Sequence, residues 1–288
     1  MCIVCTNEYQ DRNIKELDCC LDITEIPNIE GLKILICEGC SNLTKISNIR
    51  GLFELFCSWC PNLTEIPNIE GLKILSCNEC SNLTKISNIR DLFELECRDC
   101  PNLTEIPNIE ALRRLKCWDC PNITEIPNIE GLKELKFTGS PNLIEIPNIE
   151  GLEELHCSNC PKITEIPNIP SLKKLYCNDC PNLTKIPNIE GLKDLTCLDC
   201  PNLTEIPNIE GLEYLYCWEW LHYKNPDFED NLKKLVKIQK WVKRWVLTGR
   251  KLKRMIPFIS ERYYLPDCKG GYSCKLEFMR NGSELLNG

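Results

Sequence analysis

The stretch Pro61–Cys80, PNLTEIPNIEGLKILSCNEC, returns almost unchanged as Pro181–Cys200, PNLTKIPNIEGLKDLTCLDC. Working outward from these two, the chain from Leu21 to Trp220 divides into ten units of 20 residues, and a shortened unit with Ile14, Leu17 and Cys19 in the matching places precedes them. Residues 21–60 also resemble 61–100 as a pair, because both second units carry SNLTKISNIR followed by Leu-Phe-x-Leu. Self-similarity at a fixed short period is the signature of an array in which each unit is too small to bury its own apolar face and must stack on its neighbours.

Within a unit the apolar skeleton is L-x-x-I-P-x-I-x-x-L-x-x-L-x-C-x-x-C. The segment around Leu35 and Cys37 alternates apolar and variable positions, as a half-buried strand does. The Pro-Asn, Ile-Pro-Asn-Ile and Gly-Leu pieces are turn formers, so the rest of each coil reads as turns and extended bends with no room for a sizeable helix. Stacking coils about 4.8 Å apart in a parallel sheet predicts a continuous Leu/Ile/Cys core.

Leu32-x-x-Leu35-x-Cys37-x-x-Cys40 resembles the leucine-rich-repeat consensus, L-x-x-L-x-L-x-x-N/C-x-L, with Cys37 in a Leu slot and Cys40 in the Asn/Cys slot. The resemblance covers about residues 13–220. It implies a repeat solenoid whose curved parallel β-sheet lines a concave face and whose convex side is turn and extended chain. Residues 1–20 are then an N-terminal cap with the shortened repeat, 21–220 the ten repeats, and 221–288 a basic helical C-terminal cap or tail.

Leucine-rich-repeat proteins commonly bind partners on the concave face, and the variation among units points to the same place. The bend T-E-I-P-N-I-E-G-L barely changes, whereas the position before the first cysteine reads Ile36, Phe56, Ser76, Glu96, Lys116, Lys136, His156, Tyr176, Thr196, Tyr216. The position after that cysteine reads Glu38, Ser58, Asn78, Arg98, Trp118, Thr138, Ser158, Asn178, Leu198, Trp218. Alternation turns both rows outward. Unconstrained drift would leave mixed polar residues there. Exposed aromatics and arginines are instead what interface hot spots are made of, so Phe56, Trp59, Arg98, Arg114, Trp118, His156, Tyr176, Tyr216 and Trp218 are the candidate partner-binding residues.

The 23 cysteines of the 288-residue chain recur as C-x-x-C pairs, a spacing that suits zinc or redox chemistry. Both members, however, fall in inward slots, where cysteine acts as a small hydrophobe. The expectation is therefore packing, with no metal and no cofactor, and a zinc-binding or purely structural solenoid as the alternative. Unit 131–150 loses both, as Phe137 and Ser140. The Met-Cys-Ile-Val-Cys start lacks a basic n-region, no apolar run is long enough to span a membrane, and a reducing, intracellular setting follows, the host cytoplasm if the chain is viral. In that setting the recurrent Asn-Leu-Thr triplets serve the turn; in a secreted chain they would be glycosylation acceptors.

Net charge is −8, split between an acidic array at −16 and a basic tail at +8. The acidic array argues against nucleic acid as its ligand. Residues 231–256 read as a basic amphipathic helix that caps the array or contacts an acidic partner, is itself a calmodulin-type target, or, with Trp241 and Trp245, lies on an anionic membrane or contacts nucleic acid. Ile238, Gln239 and Lys243 resemble the start of an IQ motif, which fails at Arg244 and Thr248. Ile238–Trp245 together with Phe258–Gly271 resembles C-terminal segments of repeat proteins from giant amoeba-infecting DNA viruses. No P-loop, dinucleotide fingerprint, GxSxG or HExxH is present. The chain is thus expected to be a scaffold for a protein partner and not an enzyme.

Overall fold

The computed structural model describes Val4 and residues 14–217 except 205, 208 and 210. They form a parallel β-solenoid. Eleven short strands, each one coil after the last, make a single sheet that runs in chain order from Glu16–Asp18 to Tyr214–Cys217. The register advances by one coil at each step: Leu35 faces Leu55, Leu75 faces Leu95, and Leu115 faces Leu135. The shortened unit supplies the first strand, Leu17 pairing with Leu35. The C-terminal helix expected at 231–256, residues 1–13 of the expected N-terminal cap other than the buried Val4, and Trp218 lie outside the described residues.

The expected core is present. The three leucines, two isoleucines and two cysteines of a typical coil stack into continuous buried columns, as in Leu52, Leu55, Cys57, Cys60, Leu63, Ile66 and Ile69. Truncating any one buried leucine in such a column costs about 2–5 kcal/mol, because its neighbours above and below cannot close the hole.

The second side of the coil is zipped only in places, and the sequence says where. Ile-Ser-Asn-Ile replaces Ile-Pro-Asn-Ile in two units, restoring a backbone donor that proline lacks. There Ser47 N–H donates to the Ile26 carbonyl at 2.9 Å and Ser87 N–H to the Ile66 carbonyl at 3.0 Å. Short strands Glu25–Ile26 with Lys45–Ile46, and Glu65–Ile66 with Lys85–Ile86, form at these points. Each sets a glutamate opposite a lysine, the cross-strand pair that charge favours, and the lone bridge Glu165–Lys185 repeats the pattern.

Candidate functional site

Two side-chain ladders hold the bend and explain its constancy. The Asn62 amide donates to the Ser41 carbonyl at 2.7 Å, Asn122 to Pro101 at 2.7 Å and Asn182 to Pro161 at 2.7 Å, each reaching the coil before. Asn142, which no threonine follows, makes the same bond to Pro121 at 2.9 Å, so the asparagine serves the turn whether or not the triplet is complete. Thr44, Thr84 and Thr184 donate their hydroxyls to the threonine carbonyl one coil back.

The cysteines are likewise structural parts of the coil. In most pairs the second thiol donates to the carbonyl of the first cysteine one coil earlier: Cys60 to Cys37 at 3.0 Å, Cys80 to Cys57 at 3.0 Å, Cys200 to Cys177 at 3.0 Å. Burial drives the Cys77 and Cys177 thiols well above their ordinary range and holds them neutral.

On the outward side the strands alternate as expected, with Leu115 and Cys117 buried between Arg114, Lys116 and Trp118 on the solvent face. Arg98 and Trp118 are register partners on adjacent strands. His156 and Tyr176 are partners too, and their rings stack with centroids 4.1 Å apart. Tyr216 lies against Tyr214, 6.4 Å between centroids. Phe56 pairs with Ile36 and Ser76, three strands and about 14 Å from the Lys116 position. The strand-borne candidates therefore form three groups along one face: Phe56, then Arg98, Arg114, Trp118, His156 and Tyr176, then Tyr216.

Trp59 is not on the strand. It occupies a turn position with φ 56°, where the other coils carry Gly39, Glu79, Asp99, Asp119, Gly139, Asn159, Asp179 or Asp199. A bulky side chain in the left-handed region is strained, and this one is 55% exposed.

The variable rows correct one expectation. Thr196 in the first row and Ser58 in the second are buried, not displayed. The polar members of the row past the strand ends satisfy free backbone donors: Ser58 Oγ accepts from Asn78 N–H at 3.3 Å, Ser158 Oγ from Asn178 N–H at 3.2 Å, and Asn178 Oδ1 from Leu198 N–H at 2.9 Å. Where Arg98, Trp118 and Thr138 stand instead, the strands run five residues, Glu94–Arg98, Arg114–Trp118 and Glu134–Thr138.

Between the aromatics lies a charge lattice that reading coils one at a time does not reveal. Glu94 holds both Arg114 and Lys116, the latter at 2.8 Å. Lys136 bridges Glu134 at 2.7 Å and Glu154 at 3.3 Å, and Glu154 also takes His156 at 2.7 Å. The Arg114 guanidinium sits 5.5 Å above the Phe93 ring, and its Nε is buried without a partner. Burial lowers the His156 imidazole below its ordinary 6.5, with Lys136 adding to the effect and Glu154 opposing it. Burial raises the Glu154 carboxyl, but the hydrogen bond from His156 and the charge of Lys136 outweigh it and leave it below the usual range. Across these strands Glu94, Glu96, Glu134 and Glu154 stand against Arg114, Lys116, Lys136 and Lys174, and Arg98 is matched by Asp99 just past its strand, at 2.9 Å. The face is balanced, and the acidity of the array lies on exposed bends such as Glu105, Glu125 and Glu145.

No helix among the described residues is long and apolar enough to cross a membrane. No family model matches the chain, and no curated protein does. Among solved structures, the leucine-rich repeat domain of the type III effector XCV3220 (XopL) is similar at 21% identity and TM-score 0.49, with 74% of this chain and 79% of that one covered. A leucine-rich repeat protein from Bacteroides ovatus ATCC 8483 is similar at 16% identity and TM-score 0.39, with 70% and 68% covered.

Proposed function

We propose that this chain is a non-enzymatic scaffold that binds a protein partner across the solvent face of its main sheet, from Arg98 and Trp118 to His156 and Tyr176. One observation carries the reading: the bend is fixed by hydrogen-bond ladders, while the half-buried face beside it bears aromatics and arginine held by a balanced charge lattice. Pre-set aromatic and arginine side chains bind at a low ordering cost. A charge-balanced face also suits a partner that presents both signs, and gives no footprint for a polyanion. The resemblance of the C-terminal segment to viral repeat proteins supports an intracellular viral protein acting on host or virion proteins, its basic tail capping the array or contacting an acidic partner.

The test is a pull-down with the full chain as bait, read by quantitative proteomics beside a Trp118→Ala, His156→Ala, Tyr176→Ala triple variant of matched circular dichroism. Loss of a discrete partner set from the variant is expected. Identical sets would remove the face as the binding surface and favour a structural spacer.

A further inference from the structure

Most of the sulfur column is spoken for by the carbonyl ladder, but one place in it is different. The strands Glu94–Arg98 and Arg114–Trp118 continue in register through their cysteines, so Cys97 and Cys117 are direct cross-strand partners on the inward face; Cys197 and Cys217 pair in the same way, but there no third sulfur gathers among the described residues. In the pairings of Glu54–Phe56 with Ile74–Ser76 and of Glu154–His156 with Lys174–Tyr176 the strands stop short of the cysteine. Cys120 folds over the Cys97–Cys117 pair, and the three Sγ atoms all lie within 4.8 Å of one another, the one such thiol group among the described residues.

Cys120 has also left its ladder position. Its distance to the Cys97 carbonyl is 3.7 Å, against 3.0 Å for Cys60, Cys80 and Cys200 and 3.1 Å for Cys100 and Cys180. Cys160, bonded to the Phe137 carbonyl, is as long at 3.7 Å, but no trio of sulfurs gathers there. The next coil closes the group. Phe137 pairs with Cys117 and ends the run of sulfurs, and Ser140, one coil beyond Cys120, is fully buried with its Oγ unpartnered.

We propose that Cys97, Cys117 and Cys120 form a buried site for a single thiophilic d10 cation of the zinc class, with Cys100 as the fourth sulfur. Tetrahedral zinc with Zn–S near 2.3 Å sets its sulfurs about 3.8 Å apart, so a sub-ångström contraction of the trio suffices. Cys100 joins by giving up its 3.1 Å bond to the Cys77 carbonyl. The spacing Cys97-x2-Cys100, Cys117-x2-Cys120 is that of four-cysteine zinc sites. The cation's charge offsets what burial otherwise forbids: in its absence contact with Cys117 raises the Cys97 thiol and burial raises that of Cys117, keeping both protonated. Each sulfur that binds the ion releases its proton to water, so binding weakens in acid. Because all four thiols are fully buried, the ion enters while the coils are open.

The full chain is refolded anaerobically in cobalt(II), passed through gel filtration, and examined by absorption spectroscopy and elemental analysis. A single retained cobalt per chain is expected, with a sulfur-to-cobalt charge-transfer band, the strong visible absorption of tetrahedral cobalt, and displacement by zinc. Cys120→Ser should lose the ion, Cys100→Ser should weaken it, and Cys180→Ser, the same column position elsewhere, should keep it. If Cys120→Ser does not fold, pulsed alkylation of the wild-type chain decides: zinc should protect Cys97, Cys117 and Cys120 and leave Cys177 and Cys180 unchanged. No retained cobalt, equal loss in Cys180→Ser, or uniform protection of all the thiols overturns the site.

Discussion

The imidazole of His156 lies nearly flat on the phenol ring of Tyr176, 18° between planes, while its Nε2 is 2.7 Å from Glu154 Oε1. The stack covers one face of the histidine and the carboxylate holds its edge, so the two neighbours push its proton affinity in opposite directions. By NMR titration His156 should show a pKa below its ordinary 6.5. Tyr176→Ala should move it up by removing cover, and Glu154→Gln should move it further down. For stability the sign follows from the lowered folded value: the contribution is full above pH 6.5 and is lost as pH falls through the folded pKa. A rise on Glu154→Gln would refute this account of the site.

Trp59 should trade stability for binding. Its left-handed backbone costs an ordinary L-residue about 1–2 kcal/mol, which Trp59→Gly relieves, set against the greater chain entropy of glycine. The variant should melt no lower than wild type and lose whatever partner contact the exposed indole makes. A clear drop in melting temperature would show that the indole is packed as part of the fold.

Phe137 is the largest fully buried side chain described, and Phe137→Ala should cost about 3–5 kcal/mol. The double change Phe137→Cys, Ser140→Cys restores the pattern of the other coils and should cost less than Phe137→Ala. Comparison of the two by denaturant unfolding measures how far Phe137 and Ser140 act as a unit.

The neutral thiols predict alkaline sensitivity. Burial raises Cys77, Cys157 and Cys177 above 9.0 in the fold, while the unfolded chain ionises its thiols near that value. The stabilisation is therefore complete below pH 9.0 and is lost as pH rises from there toward the folded values, by about 1.4 kcal/mol per thiol for each pH unit. Melting temperature should fall steeply above that pH, and replacing several of these cysteines by alanine should flatten the slope.

Ser47→Pro should remove the 2.9 Å bond to Ile26 and cost about 1 kcal/mol. Hydrogen exchange should find the Ser87 amide still protected in that variant.

The fold was legible because the core repeats: seven apolar columns at fixed positions leave one way to stack. The asparagine and cysteine slots were legible for the same reason. The face was readable only in part. Phe56, Trp118, His156 and Tyr176 stand out as single residues, but Glu94, Lys136 and Glu154 acquire meaning only opposite a residue one coil away. Ser58 and Asn178 went unrecognised as backbone caps because their role depends on where a strand ends. Trp59 was placed with the face, but its left-handed backbone leaves no trace in its own letter, only in the Gly, Asp and Asn of its column.

The prolines of the bend have one more consequence. They deny the second flank amide protons that would zip it, so among the described residues the coils are laced continuously on one side, while on the other the backbone bonds gather at Thr44 with Ser47, Thr84 with Ser87, and Thr184 with the bridge at Lys185. Under axial load the sheet flank is therefore the stiffer of the two, and the bend flank depends on its asparagine and threonine side chains to hold one coil to the next.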